Sequence, residues 1–394
     1  MMTDLEDYLA HALLDIENDG QLRRVNPLCQ LGGNRIEVAG KKYLNLSGND
    51  YLGLATDQQL IEEFYRHVRP DTILEQFGPG AAASRLMTGN SALYEKLEAT
   101  LAKLYGSEAC LVFNSGYHGN SGILPAIATK GDLVLADKLC HASLVDGMGL
   151  SRAKTIRFRH LDYEHLEDIL LKKRDHYNRV FLVTESIFSM DGDTADLKKL
   201  VTLKNKYNCS LYVDEAHAVG VLGPQGLGLA EQESLLAEID LLYGTFGKAL
   251  GGVGGFIICS KIIADYLVNK ARTLIYTTGL PPVCLSWLLF ILNRIPAMEA
   301  ERQQVQATAG TMRRNLQDLG LVTGGSSHIV PVIIGDSAKT VFIANKLQHN
   351  GFWVTAVRPP TVPAGTARLR LSLSATMQPD ELSPLPSLIA SALG

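Results

Sequence analysis

The sequence predicts an α/β protein: a seven-stranded, mostly parallel sheet in a large domain, followed by a smaller C-terminal α+β domain. Three observations carry this. Seven short apolar runs recur between residues 109 and 259. Helix-like stretches separate several of them, and near-continuous apolar strands alternating with helices mean a parallel sheet covered on both faces. After about residue 290 the rhythm changes to two long helical stretches with three strand-like runs. The length of 394 residues agrees, because single hydrophobic cores stop growing at roughly 250–300 residues. The boundaries read as an N-terminal arm over 1–48, a large domain over 49–285 and a small domain over 286–394.

The elements follow in chain order. Leu5, Leu9, Leu13 and Ile16 share one helical face, which predicts an amphipathic arm that packs on something larger. From there to about residue 90, Gly, Asn and small residues predict loops and short turns. Leu93, Leu97, Leu101 and Leu104 form a helical stripe that Gly106 ends. The predicted strands of the sheet are Ala109–Asn114, Asp132–Ala136, Thr155–Phe158, Val180–Thr184, Ser210–Val213, Asp240–Gly244 and Gly255–Cys259. The small domain contributes helices over 283–319 and 338–349, with strands at Ile329–Ile334, Phe352–Thr355 and Ala367–Leu373.

Composition removes several classes. With 37 basic and 41 acidic side chains the net charge is −4, and 46% apolar with 20% charged residues is ordinary for a globular chain. A nucleic-acid binder needs basic stripes that this balance does not supply. The longest strongly apolar run, Pro281–Leu292, is about 12 residues, short of the roughly 20 a spanning helix needs. The first twenty residues carry Asp4, Glu6, Asp7, Asp15, Glu17 and Asp19 and no Lys or Arg, the reverse of a signal peptide. Six scattered cysteines form no Cys-x-x-Cys pair, and five of them lie in or beside apolar stretches. They read as small core residues in a reducing cytoplasm, not as a disulfide frame or a zinc site. The expectation is a cytoplasmic protein with no nucleic-acid, membrane or metal partner.

Five strings can carry chemistry. Asp214 ends a predicted strand and His217 follows three residues later. In open α/β sheets, ligands bind beyond the carboxyl ends of strands, so a carboxylate there can pair with a buried cation. A helix cap with a surface His is the structural alternative. The Asp214-Glu-Ala-His217 string also occurs in helicases, but Gly244-Thr-Phe-Gly-Lys248-Ala249 lacks the spacing and hydroxyl of a phosphate-binding loop. Lys248 instead sits among small residues just past a strand, a setting suited to Schiff-base chemistry because a lysine pKa drops readily on burial. A surface loop lysine is the alternative. Phe113–Asn120 follows a strand and opens a helix, where backbone N–H groups bind phosphate and Tyr117 can cover a flat ring. His141, after another strand, is either an acid–base or stacking group or a structural histidine. In Ala367–Ser374 a period of two puts Leu369, Leu371 and Leu373 in a core and Arg368, Arg370 and Ser372 on the other face. A solvated face is the default, yet a guanidinium on a rigid strand is also a good clamp for a carboxylate.

Together, in this order, these strings are specific. Further ones support them: Asn49-Asp-Tyr-Leu-Gly-Leu54, Phe188-Ser-Met-Asp-Gly-Asp193 and Tyr276-Thr-Thr-Gly-Leu-Pro-Pro282. The chain resembles the fold-type-I pyridoxal-phosphate enzymes, and within them the α-oxoamine synthase family, over almost its whole length. The stretch Gly80-Ala-Ala-Ala-Ser-Arg-Leu-Met-Thr-Gly89 is less glycine-rich than many members show.

The resemblance implies pyridoxal 5'-phosphate as cofactor, with Lys248 as its covalent attachment point and as the base at the substrate Cα. It implies that Asp214 pairs with the pyridine nitrogen, His217 reaches the phenolic oxygen and His141 stacks on the ring. Gly116, Tyr117, Ser189 and Thr245 complete the cofactor shell, and Thr277 and Thr278 reach the phosphate of a neighbouring subunit in a homodimer with shared sites. Asn49 and Arg370 grip the amino-acid carboxylate, while Arg23, Arg358 and Thr361 are candidates for the acyl side. The segment Trp353–Arg370 points to a member that joins alanine to a pimeloyl thioester and releases carbon dioxide. Condensation of glycine with acetyl-CoA or another acyl-CoA, and an aminotransferase, are the alternatives.

Overall fold

The structure, a computed structural model, describes residues 3–23 and 25–393. They form two compact units. The larger contains Asn49–Ser189 and Asp193–Val305, and the smaller contains Met1–Gly48, Met190–Gly192 and Gln306–Gly394.

The larger unit is built on one sheet of seven strands: β1 (Ala109–Phe113), β2 (Leu133–Asp137), β3 (Lys154–Phe158), β4 (Val180–Glu185), β5 (Ser210–Asp214), β6 (Leu241–Thr245) and β7 (Gly255–Cys259). The apolar runs predicted all seven to within one or two residues. Their order is β1-β7-β6-β5-β4-β2-β3. Neighbours from β6 to β3 run parallel, and β7 is antiparallel to both β1 and β6. The carboxyl ends of β1, β2, β4, β5 and β6 therefore share one edge of the sheet.

Every residue of β1, β2, β4, β6 and β7 is buried, which explains why they read as continuous apolar runs rather than alternating ones. The helix Ala92–Tyr105 buries Leu93, Leu97 and Leu101 and stops at Gly106, whose φ of 62° an L side chain adopts only at a cost. Between residues 50 and 90, where loops were expected, short helices form at Gln58–Tyr65 and Ile73–Phe77. The helical stretch expected over 283–319 is two helices, Pro282–Leu292 and Glu299–Asp318. Pro296 lies between them, where its missing N–H and fixed φ interrupt the ladder.

The smaller unit carries two sheets. In the first, Cys29–Leu31, Arg35–Val38 and Lys41–Asn45 run antiparallel, and Phe352–Trp353 adds in parallel to Lys41–Asn45. The sequence reading missed the first three strands, although Ala39 and Gly40, at φ 50° and 76°, make a two-residue turn suited to a hairpin. In the second, Ala367–Ser372 is central, between Ile329–Gly335 and Ala356–Val357.

One expectation needs correction. The face of Ala367–Ser372 that holds Arg368, Arg370 and Ser372 is not solvated: all six residues are buried. The strand is buried on both faces as well as paired on both edges, so its polar face needs internal partners. Arg368 finds them in the Asp191 carboxylate, through an ion pair, and in the Thr366 carbonyl at 3.0 Å. Arg370 donates to Ser372 Oγ at 2.6 Å. The N-terminal helix Asp4–Asn18 forms, with Thr3 as its capping-box residue, but buries no residue within the single chain. Leu5, Leu9 and Leu13 remain 64%, 47% and 54% exposed.

Candidate functional site

The shared edge gathers most of the chemistry. β5 ends on Asp214 and β4 on Glu185, and the two are paired in register. Asp214 is buried. Its Oδ2 accepts from Asn120 Nδ2 at 2.6 Å and its Oδ1 from the Ala216 N–H at 2.8 Å. Asn120 is itself held, donating to Ser143 Oγ at 3.0 Å and accepting from Tyr212 Oη at 2.6 Å. This network fixes the position of the carboxylate at the end of β5.

His217 is buried too, and its Nδ1 lies 2.7 Å from Tyr51 Oη. The same hydroxyl donates to Asn49 Oδ1 at 3.0 Å. Tyr51 thus ties the Asn49–Leu54 string to the loop after β5.

The loop after β2 carries His141, which starts the helix Ala142–Leu150. Its Nδ1 lies 2.7 Å from Ser143 Oγ, and its backbone N–H donates to Glu185 Oε1 at 2.5 Å. Desolvation, joined by the Lys248 charge, holds the imidazole below its usual pKa, while Asp214 pulls the other way. A neutral ring near pH 7 follows. Glu185 is pushed well above the usual carboxylate range by burial first and by the Asp214 charge second, and Lys248 opposes both.

Lys248 stands three residues past β6 and is half-buried. Thr245 ends that strand, accepting from the Gly247 N–H at 3.2 Å and donating to the Gly254 carbonyl at 2.9 Å. Its Oγ1 would lie 3.4 Å from any Cβ at Gly116, the first residue of the helix Gly116–Ile127. Gly119 in the same helix admits no side chain at all, since a Cβ would fall 2.0 Å from Tyr243 Oη. Tyr243 donates to the Ser115 carbonyl at 3.0 Å and so fixes the helix entry. Tyr117 is exposed and its hydroxyl donates to Asp146. Ser189 is half-buried beyond β4. Thr278 is exposed, and its carbonyl accepts from Asn114 Nδ2.

Arg23, Arg358, Thr361 and Arg370 belong to the smaller unit. Arg23 Nη2 donates to Thr361 Oγ1 at 3.1 Å, and Arg358 donates to the Gly20 carbonyl. The three acyl-side candidates therefore cluster. The sequence reading did not single out Tyr51, Asn120, Ser143 or Glu185. Tyr51 and Asn120 stand inside the strings named above and Ser143 lies two residues past His141, while Glu185 directly follows the apolar run Val180–Thr184, the same signal that marks Asp214.

The donor set fits pyridoxal phosphate. It comprises a rigid buried carboxylate, a half-buried lysine and an imidazole held neutral. A helix N-terminus beside a threonine hydroxyl completes it, the arrangement that suits a phosphate.

Comparison with known proteins agrees. The family model for aminotransferases of class I and II matches residues 41–387. An 8-amino-7-oxononanoate synthase of Chlorobaculum parvum is 47% identical over 372 residues, covering 94% of this chain and 95% of that protein. A serine palmitoyltransferase of S. paucimobilis, solved with bound pyridoxal phosphate and myriocin, superposes with a TM-score of 0.89 at 28% identity, covering 99% of this chain and 98% of that one. An 8-amino-7-oxononanoate synthase of Francisella tularensis gives 0.74 at 27% identity, covering 89% and 97%. Among the described residues no single helix is long and apolar enough to cross a membrane, and no group of His, Cys, Asp and Glu could hold a metal ion. With its fold, its site and these relatives in agreement, the chain belongs to the pyridoxal-phosphate-dependent class I and II aminotransferase family and, within it, to the 8-amino-7-oxononanoate synthases.

Proposed function

We propose that this enzyme condenses alanine with a pimeloyl thioester, free or carrier-bound, to give 8-amino-7-oxononanoate, carbon dioxide and the free thiol. The observation that carries the acyl half is the cluster of Arg23, Arg358 and Thr361 around Arg358-Pro-Pro-Thr361. Two guanidinium groups with a hydroxyl suit the far carboxylate of a dicarboxylic chain, since Arg matches a planar carboxylate in a bidentate way.

Bound pyridoxal phosphate supplies an electron sink for a carbanion at the amino-acid Cα. The residues do the rest. Lys248 would hold the cofactor covalently and would take the Cα proton of the bound amino acid on Nζ. Asp214 keeps the pyridine nitrogen protonated, and its bonds from Asn120 and Ala216 hold it in line. His217, steadied by Tyr51, would hydrogen-bond the phenolic oxygen. His141, neutral, would stack on the ring and exclude water. Gly116, Tyr117 and Thr245 hold the phosphate, with Ser189 nearby and Thr277 and Thr278 contributed from a second subunit of a homodimer. Asn49 and Arg370 bind the alanine carboxylate. The Cα attacks the thioester carbonyl, the C–S bond breaks and the thiol leaves. The bond from Cα to the carboxylate then breaks, its electron pair stays on Cα, Lys248 returns a proton to that carbon, and the loss of carbon dioxide makes the condensation effectively irreversible.

The test is thiol release with pimeloyl-CoA or acetyl-CoA, each with alanine or glycine. Pimeloyl-CoA with alanine should be preferred. Alanine over glycine rests on one methyl group, worth roughly 1–3 kcal/mol, so slow glycine turnover is expected. Arg358→Ala should lose the preference for pimeloyl-CoA. Preference of the wild type for acetyl-CoA, or full turnover with glycine alone, would move the enzyme to the acetyltransferase branch. No thiol release with any pair would indicate an aminotransferase.

A further outcome separates the two strand arginines. Arg370→Ala should raise the alanine KM about tenfold or more, the loss of a hydrogen-bonded charge pair being worth about 1.5–3 kcal/mol. Arg368→Ala should leave that KM alone and lower unfolding stability. The loss is expected near 3 kcal/mol, the low end for a broken buried pair, because Asp191 keeps 26% exposure. Steady-state kinetics and denaturant unfolding on both variants check this. Similar KM values in the two variants would remove Arg370 from the substrate site.

A further inference from the structure

His160 is neither a cofactor-binding nor a substrate-binding residue in the proposed mechanism. It follows edge strand β3, and its ring bridges two carboxylates. Nδ1 is 2.9 Å from Asp137 Oδ1 and Nε2 is 3.2 Å from Asp193 Oδ2. An ionised carboxylate only accepts, so both ring nitrogens must donate, which the ring does only as imidazolium. Desolvation works against that charge, but the bonds to Asp137 and Asp193 outweigh it and push the pKa up to about 9. The ring also stands edge-on to Phe188, with centroids 4.5 Å apart at 88°.

Each partner of His160 governs one loop. Asp137 closes β2 and is almost fully buried. Its Oδ1 also accepts from the Leu139 N–H at 2.8 Å, and its carbonyl from the Cys140 N–H at 3.2 Å. With Lys138 N–H donating to the Phe158 carbonyl and His141 N–H to Glu185, every backbone donor from 138 to 141 is engaged. On the other side, the Asp193 carbonyl accepts from the Phe188 N–H at 2.9 Å, which closes the turn containing Ser189. Ile187 and Thr194 form a bridge just outside it.

We propose that His160 is a positioning residue that acts as a cationic clamp: through Asp137 it fixes the loop carrying His141, and through Asp193 and Phe188 the turn carrying Ser189. The clamp keeps both side chains in register around the cofactor without touching it. The inference rests on the roles proposed above for His141 and Ser189.

The test uses the holoenzyme and four variants: His160→Gln, which is neutral and similar in reach, Asp193→Ala, and the controls His141→Ala and Ser189→Ala. The readouts are far-UV circular dichroism for folding, visible circular dichroism of the bound cofactor, the dissociation constant for pyridoxal phosphate, and kcat. A folded His160→Gln protein should show altered visible dichroism, weaker cofactor binding and a kcat about tenfold to hundredfold lower, the scale set by small misplacements around a reacting centre. Asp193→Ala should show the same changes, since it removes the other end of the clamp. Wild-type visible dichroism and kcat in folded His160→Gln overturn the inference. If His160→Gln does not fold, Asp193→Ala decides alone, and wild-type behaviour there overturns it. Unchanged spectra in His141→Ala and Ser189→Ala would overturn the roles on which the clamp depends, and the inference with them.

Discussion

Lys248→Ala is expected to abolish turnover and to remove the covalent bond to the cofactor. Borohydride reduction of the wild type followed by peptide mapping should place the label on Lys248, and the variant should carry none. Lys248 is the lysine that follows the carboxyl end of β6, the edge where Asp214, Glu185 and His141 converge. A positioned proton-transfer group contributes typically about 10²–10⁴-fold, and the covalent role adds to that, so residual activity should fall below ordinary detection. The change also removes the positive charge that opposes protonation of the buried Glu185 and of His141. Both groups should therefore hold their protons to higher pH in the variant. A label on another lysine would displace Lys248 from the chemistry.

Asp214→Asn is the second large effect, and the geometry makes it act twice. The first loss is electrostatic: the pyridine nitrogen no longer faces an anion and loses its proton, which weakens the electron sink. Removing one preorganised electrostatic partner costs about 10²–10³ in kcat. The second loss is local. Both Asp214 oxygens accept hydrogen bonds, one from Asn120 and one from the Ala216 N–H. An amide NH2 at either position would face a donor, which leaves a buried donor unsatisfied at about 1–3 kcal/mol. Turning the Asn120 amide over does not solve this, because its oxygen already accepts from Tyr212. The variant should thus melt below the wild type as well as turn over slowly. Kinetics with pimeloyl-CoA and alanine, and thermal unfolding without cofactor, measure the two losses separately. Near-normal turnover would show that the carboxylate serves only the fold.

The legible part of the site is the part that lies on strand ends. Asp214, Lys248 and His141 were readable because each follows a buried apolar run, and such runs announce the carboxyl edge where ligands bind. Asn49 and the Arg358–Thr361 segment entered through resemblance alone. Asn120 lies in the Phe113–Asn120 string, yet its partner Asp214 is 94 positions away. Tyr51 is 166 positions from His217. No periodicity couples such residues. The hairpin at Arg35–Val38 and Lys41–Asn45 was missed because strands of four and five residues give few alternations to read.

By itself the sequence determined the seven strands, the helix stripes between them and the chemical character of each loop at the shared edge. These follow from spacing within ten residues or so, where backbone period and turn residues act directly. Only the tertiary structure decided which loops meet. The strand order is not the chain order: β7 inserts between β1 and β6, and β2 lies between β4 and β3. That order brings Glu185 beside Asp214 and the Gly116 helix against Thr245. It also decided that the Arg368 and Arg370 face is buried rather than wet. Period two assigns residues to a face, but whether that face meets water depends on what packs against the sheet, and that is a property of the whole chain.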